Sequence, residues 1–261
     1  HTTILVQESS RKDRTKYCVQ RYDFPTQCNN EKGDGEEEAR SISLYTREPR
    51  ETRLSLSDLV SHRFNQGVDN TGNICVWDSE RTLAYLLYHH LDDFDLPNSS
   101  RSQPRRCSIL ELGTGMAGLS AIALGLKWVT ATRQTTLNDE STRICVTLTD
   151  GNPSGVKNNK VNQYITQMAA LSQEKVMQSP HPYNALDVHC EKLLWTTDLI
   201  SSSDNIPVSA YDVVLVSDCT HFQNFHAALA VTTLRSLHVG GVAIFCQPSR
   251  GKSLENFCKL I

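Results

Sequence analysis

Ile109-Leu110-Glu111-Leu112-Gly113-Thr114-Gly115-Met116-Ala117-Gly118 is the stretch of this chain whose residue types and spacing could do chemistry. It reads as a buried strand that ends in an acid and breaks into a glycine turn, with an apolar helix from Leu119 to Leu126 behind it. Glycines at such a turn allow positive φ and let a ligand approach main-chain N–H groups closely. The helix that follows directs its positive end at the same place. This corner is expected to hold a cofactor. The spelling Gly113-x-Gly115-x-x-Gly118 also fits the dinucleotide fingerprint, so the identity of that cofactor rests on the neighbouring residues.

Glu111 is the first of those. A carboxylate aimed at the pocket repels a pyrophosphate and suits a ligand that carries an ammonium and a sulfonium, as S-adenosylmethionine does. Acid-x-Gly-x-Gly resembles the first motif of class I methyltransferases, which makes Glu111, Gly113, Thr114 and Gly115 candidate cofactor contacts. The competing reading of Glu111 is a solvated strand end. In an open parallel sheet ligands bind at the carboxyl ends of the strands, so the residues just past each strand matter most. The second strand ends in Thr149-Asp150-Gly151, where an acid can accept hydrogen bonds from both ribose hydroxyls; Asp150 as a turn or helix-capping residue is the alternative. The third ends in Leu193-Leu194-Trp195, a ring for an adenine face or a core plug. The fourth ends in Val216-Ser217-Asp218-Cys219-Thr220-His221-Phe222, which would place a carboxylate where the methyl group leaves sulfur.

Elements to position these residues follow from periodicity. Strands are expected at Ser108–Leu112, Cys145–Thr149, Leu186–Leu194, Tyr211–Ser217 and Val242–Cys246, the last entered by a turn at Gly240-Gly241. Helices are expected at Met116–Leu126, around Val156–Ala170, and through Ala227, Ala230, Val231 and Leu234. Asp78 or Ser79 reads as the N-cap of an entry helix bearing Leu83, Leu86, Leu87 and Leu91 on one face. Alternating strands and helices imply an α/β fold, an open, mostly parallel sheet with helices on both faces. Residues 1–40 are polar, with an acidic run from Glu31 to Glu38, and read as a solvated or disordered segment. Residues 41–106 form a smaller N-terminal region with the entry helix, Leu54 to Val60 in it beginning a helix or ending a hairpin, and 107–261 form the cofactor domain. Polar insertions are expected at Thr130–Thr142, Leu171–Pro182 and Thr196–Ser209. The start at His1 without Met, and an end at Ile261 inside a helix beginning at Leu254, suggest a chain that continues beyond both termini.

Charge and cysteines narrow the function classes. A net charge of −3 argues against nucleic acid as main partner, and no eighteen-residue apolar run is present to span a membrane. Nine cysteines are scattered singly without a CxxC pair, which favours reduced thiols inside a cell over disulfides or zinc. His89-His90 and Cys219-Thr220-His221 read as incidental, so no metal is expected.

A family resemblance is carried by Gly67-Val-Asp-Asn-Thr-Gly-Asn-Ile-Cys-Val-Trp77, Leu148-Thr-Asp-Gly151, Leu194-Trp195, Asp218-Cys219 and Arg250-Gly-Lys-Ser-Leu-Glu-Asn-Phe-Cys258. From about Gly67 to Ile261, insertions excepted, the chain resembles the calmodulin-lysine N-methyltransferases, part of the wider group of seven-β-strand protein lysine methyltransferases. The resemblance implies that Trp77 packs against S-adenosylmethionine, with further cofactor contacts at Glu111, Gly113, Gly115, Asp150 and Trp195, to which Thr114, Gly151 and Ser217 are added by position. It implies two more strands beyond Ile261, and an Asp-x-x-aromatic motif lining a lysine channel. Here Asp218 is present, His221 stands at the aromatic position and Phe222 follows, so Asp218 and His221 are the candidate catalytic pair. The implied substrate is a lysine of calmodulin and the implied location cytoplasmic or nuclear. Arg47, Arg50, Arg53 and Arg63, and Arg101, Arg105 and Arg106, are candidate contacts for so acidic a partner, although Glu48, Glu51 and Asp58 interrupt the first group. Other readings remain open at this point: an NAD-dependent oxidoreductase, or a methyltransferase-like binding protein without activity. Base methylation is disfavoured because Ser217-Asp-Cys-Thr220 lacks the Asn/Asp-Pro-Pro-aromatic pattern.

Overall fold

The computed structural model describes residues 3–4, 17–25, 41–49, 72, 75–94, 96, 106–135, 143–177, 180–198 and 206–261. Five strands make one sheet: β4 (Arg106–Leu112), β5 (Arg143–Asp150), β6 (Leu186–Lys192), β7 (Tyr211–Ser217) and β8 (Leu237–Cys246). Their order is β6-β5-β4-β7-β8, and every pairing between neighbours is parallel. A smaller antiparallel sheet, β1 (Thr3–Ile4), β2 (Tyr17–Pro25) and β3 (Ser41–Pro49), precedes it.

Side chains alternate across a strand, and the two faces of the large sheet bury different partners. Ile109, Ile144, Val146, Leu148, Val213 and Leu215 pack with α1 (Asp78–His89), α2 (Leu119–Thr135) and Ala170 of α3 (Pro153–Met177). Leu110, Leu112, Val214 and Val216 pack on the other face with Leu229 and Ala230 of α4 (His226–Ser236) and Phe257 of α5 (Ser253–Cys258). Coverage of both faces explains the continuous apolar run Val213–Val216 in β7. The open parallel α/β sheet expected from sequence is what the chain forms.

Several boundaries differ from expectation for identifiable reasons. Strand β2 lies inside residues 1–40, because Val19 and Phe24 are buried and the whole strand pairs with β3 from Tyr17↔Pro49 to Pro25↔Ser41. A boundary at residue 40 therefore divides one sheet. Helix α2 continues past Leu126 because Trp128 and Val129 are buried as well. Helix α3 runs through Leu171–Met177, where a polar insertion was expected; a helix tolerates Gln, Glu and Lys on its outer face. It begins where Asn152 Oδ1 accepts from Ser154 N at 2.9 Å, with Pro153 at the first helical position. Helix α1 starts at Asp78 with Trp77 at the capping position and no side-chain cap, so neither Asp78 nor Ser79 caps it. Gly240 and Gly241 lie within β8 and make a bulge: the pairing steps from Tyr211↔Leu237 to Val213↔Val242. Leu54–Val60 lies outside the described residues.

Helix α3 also holds the small sheet in place. Asn158, Asn162 and Thr166 lie at i, i+4 and i+8 on one buried face. Asn162 Oδ1 accepts from Arg47 N at 2.7 Å, Thr166 Oγ1 accepts from Tyr45 N at 3.1 Å, and Asn158 Nδ2 donates to Arg47 O at 2.9 Å. These side chains satisfy the backbone of β3, the outer strand of its sheet, and so close an edge that would otherwise be open. Asn158 and Asn162 also donate to Met116 O, both at 2.8 Å, tying the same helix to the glycine turn.

Candidate active site

The carboxyl ends of β4, β5, β6 and β7 surround a cavity of about 380 Å³. Ten of the eleven residues singled out from sequence line it: Trp77, Gly113, Thr114, Gly115, Asp150, Gly151, Trp195, Ser217, Asp218 and His221. Glu111 does not. It alternates with Leu110 and Leu112 and shares the face of Ile109, so its side chain points under α2. Its Oε2 accepts from Ala121 N at 2.8 Å, and the residue is fully buried. The expectation of a carboxylate aimed into the pocket is thus corrected, because the period of the strand turns this one away. Burial raises the Glu111 carboxyl to about 7.

The glycine turn is set by its neighbours. Gly115 has φ +52°, and a Cβ there would stand 2.5 Å from Gly72 O. Gly113 has φ +69°, and a Cβ would meet Cys219 Sγ at 2.6 Å and Trp195 Cζ2 at 3.1 Å. Both positions combine a left-handed backbone with a contact too close for any side chain. Thr114, almost fully buried, donates from Oγ1 to Thr149 O at 3.3 Å and accepts from Asn159 Nδ2 at 2.8 Å. Asp150 Oδ2 accepts from Gly115 N at 2.8 Å and its Oδ1 accepts from Asn152 N at 2.7 Å. Asp150 thus fixes the turn and also lines the cavity.

The opposite wall is built past β7. Asp218 sits at φ +53°, its N–H donating to Cys246 O at 3.0 Å. Its carboxylate, with the side chain 7% exposed, meets Arg250 Nη2 at 3.1 Å. Burial raises the Asp218 carboxyl, while Arg250 and His221 pull it down. The Arg250 guanidinium also lies 5.5 Å from the centre of the Trp77 ring. His221 packs edge-on to Phe222 at 4.7 Å, and both line the cavity, so the displaced aromatic still reaches it. Trp195 meets Phe225 edge-on at 6.2 Å.

Sequence reasoning missed Glu80, Cys219, Phe225 and Arg250 as lining residues. Arg250 lies four residues past β8, the one strand end not inspected. Glu80 shares the buried face of α1 with Leu83, Ala84 and Leu87, at i, i+3, i+4 and i+7; an acid on an apolar face was a visible signal. With Glu80, Asp150 and Asp218 against Arg250, the lining carries an excess of acids. That charge suits a cationic ligand and opposes a pyrophosphate, the inference first drawn from Glu111. Among the described residues no His, Cys, Asp or Glu cluster could hold a metal ion, and no helix is long and apolar enough to cross a membrane. Arg47 is engaged within the fold, its Nε donating to Asn158 Oδ1 at 3.0 Å and its guanidinium 4.1 Å from the Tyr17 ring centre. Arg50, Arg53, Arg63, Arg101 and Arg105 and the side chain of Arg106 lie outside the described residues.

The chain is 31% identical over 227 residues to the calmodulin-lysine N-methyltransferase of Arabidopsis thaliana, a match covering 85% of this chain and 60% of that protein. Among solved structures it is similar to the DszA carbon methyltransferase, at 16% identity over 69% of this chain and 39% of that one, with a TM-score of 0.39. The CurJ carbon methyltransferase is similar at 16% identity, 70% and 39% coverage, and a TM-score of 0.37. The family model described as lysine methyltransferase matches residues 60–261, and the chain belongs to that family.

Proposed function

We propose that this chain transfers methyl groups from S-adenosylmethionine to the ε-amine of a protein lysine, with calmodulin as the acceptor. Family membership supports the reaction class, and the relative in Arabidopsis thaliana supports the acceptor, although the chain spans only 60% of that protein. The observation that carries the reading is an acid-lined cavity with Asp218 on one wall and Asp150 on the other. When bound, S-adenosylmethionine supplies the methyl carbon and its sulfur accepts the electron pair of the broken bond.

The residues have three tasks: to align, to desolvate and to handle a proton. Asp150 accepts from ribose hydroxyls, Trp195 and Phe225 flank the adenine, and Trp77 closes the side toward α1. Asp218 accepts an N–H of the incoming amine and points its lone pair at the methyl carbon, an orientation effect. A free lysine has a pKa of about 10.4, so roughly one in 2,500 is neutral at pH 7. Passage between Trp77 and Phe222 removes water and lowers that pKa. His221, exposed at the cavity mouth, takes the departing proton toward solvent. The methylated product stays cationic and rests against the faces of Trp77 and Phe222.

Incubation with radiolabelled S-adenosylmethionine and calmodulin tests this directly. Label is expected on a calmodulin lysine, identified by peptide mass. Cofactor binding without transfer to any protein acceptor would instead establish an inactive binding protein.

A further inference from the structure

Two buried carboxylates from separate elements meet the first turn of α2. Leu119 N donates to Glu80 Oε1 at 2.6 Å, and Ala121 N donates to Glu111 Oε2 at 2.8 Å. Glu80 is 4% exposed and lines the cavity, whereas Glu111 is 0% exposed behind it. One carboxylate at a helix N-terminus is favourable. A second, buried at the same helix end, repels the first.

Among the described residues, their surroundings supply no cation to offset two charges. From β3, Glu48 faces Glu80, and it is itself engaged by Tyr22 Oη at 2.7 Å and Thr46 Oγ1 at 2.9 Å. From α1, the Arg81 guanidinium turns to Glu48 at 3.7 Å and Asp78 at 3.6 Å, not to Glu80 or Glu111. From the β7 end, the Cys219 thiol is pushed up by burial and by Asp150, Glu111, Asp218 and Glu80. Glu111 Oε1 is buried without a hydrogen-bond partner among the described residues. An ionised oxygen in that position is costly, and of two buried carboxylates that repel each other one keeps its proton. Burial raises both groups, and the Glu111 charge raises Glu80 further.

We propose that Glu80 and Glu111 hold one proton between them in the empty protein and release it when the ammonium of an amino-acid-bearing ligand enters beside Glu80. The O–H bond breaks, its electron pair stays on the carboxylate oxygen, the proton goes to the buffer, and the ammonium replaces it as counter-charge. This rests on the reading of S-adenosylmethionine as methyl donor, which carries such an ammonium. Ligand affinity then depends on pH with a definite sign. Burial raises the Glu111 carboxyl to about 7 in the free protein and raises Glu80 as well, and a bound ammonium lowers both, so affinity rises with pH through the range in which the free pair loses its proton.

Calorimetric titration of the full chain with S-adenosylhomocysteine, which keeps the ammonium and lacks the sulfonium, tests the proposal. Measured at pH 6.5 in phosphate and in imidazole, buffers of small and large ionisation enthalpy, the apparent enthalpies should differ by release of about half to one proton per site. Affinity should rise between roughly three- and tenfold from pH 6 to pH 7. In Glu80→Gln the amide oxygen still accepts from Leu119 N, but the release should vanish and affinity should fall about tenfold. Binding by the wild-type protein with equal enthalpies in both buffers overturns the shared proton and leaves the methyl-donor reading standing. Failure to bind at any pH overturns both, and full release by a folded Glu80→Gln variant overturns the role of Glu80. Should that variant not fold, the two-buffer measurement on the wild-type protein decides alone.

Discussion

Strand β7 carries an aspartate at each end, and the two are treated in opposite ways. At the amino end Asp212 accepts from Ser108 N at 2.8 Å and Ser108 Oγ at 3.0 Å, and meets His238 Nε2 at 2.7 Å. It joins β4, β7 and β8 through three contacts inside the fold. At the carboxyl end Asp218 adopts a left-handed backbone and has Arg250, half-exposed, as its one side-chain partner among the described residues. A side chain that only needs to hold strands together is saturated. One that must accept a substrate group keeps acceptor capacity and a partner that can move aside. Backbone strain at Asp218 fits that contrast, since strained residues persist at sites where the surrounding structure over-determines them.

The largest effect expected from this contrast is on turnover. Asp218→Asn keeps the shape and removes the charge proposed to orient the amine, so methyl transfer should fall at least about a hundredfold, as for loss of a key electrostatic contact in other active sites. Thermal midpoint should stay within a degree or two, and cofactor affinity within a few-fold. A large drop in the midpoint with turnover preserved would make Asp218 a structural residue like Asp212 and erase the comparison.

Asp150 occupies a middle position, accepting from Gly115 N and Asn152 N among the described residues and facing the cavity. Asp150→Ala removes both the anchor of the glycine turn and the proposed ribose acceptor. Loss of a charge-assisted buried hydrogen bond costs roughly 1.5–3 kcal/mol, so S-adenosylmethionine binding should weaken tenfold or more by calorimetry. Unchanged affinity would confine Asp150 to its bonds with Gly115 and Asn152. Asp212→Ala should behave inversely: it strands Ser108 N and should lower stability by roughly 1–3 kcal/mol in urea unfolding, with turnover per folded molecule unchanged.

The sequence made the sheet and most of the cavity wall legible because both follow short-range rules. Apolar runs such as Val213–Val216 mark buried strands, and residues just past strand ends line the site. Glu111 shows where the same rule gives out: it stands near a strand end, but the period of two sends its side chain to the wrong face. Glu80 was marked by its place on an apolar helix face and Arg250 by its place past β8, but that both reach this one cavity depends on tertiary packing, which a local pattern does not carry. Strand β2 was hidden for a related reason. Its two buried residues, Val19 and Phe24, are too few and too far apart to stand out until β3 pairs with them.

The smallest effect expected tests the saturated end through pH. His238 is raised above its ordinary value by its hydrogen bond to Asp212, with the Asp212 charge adding to this and desolvation opposing it. A group raised in the folded state stabilises fully below its unfolded value, about 6.5 for histidine, and that contribution disappears as pH climbs through the folded value. The imidazole side chain is 34% exposed, so solvent screens the pair and the gain should stay below about 1 kcal/mol. The difference in urea midpoint between wild type and His238→Gln should therefore be larger at pH 5.5 than at pH 8.5. It should also shrink in high salt. Methyl transfer should not follow it, because no residue of this cluster lines the cavity. If His238→Gln instead altered turnover with pH while leaving stability unchanged, the two ends of β7 would be coupled, and the division between a structural and a working aspartate would have to be abandoned.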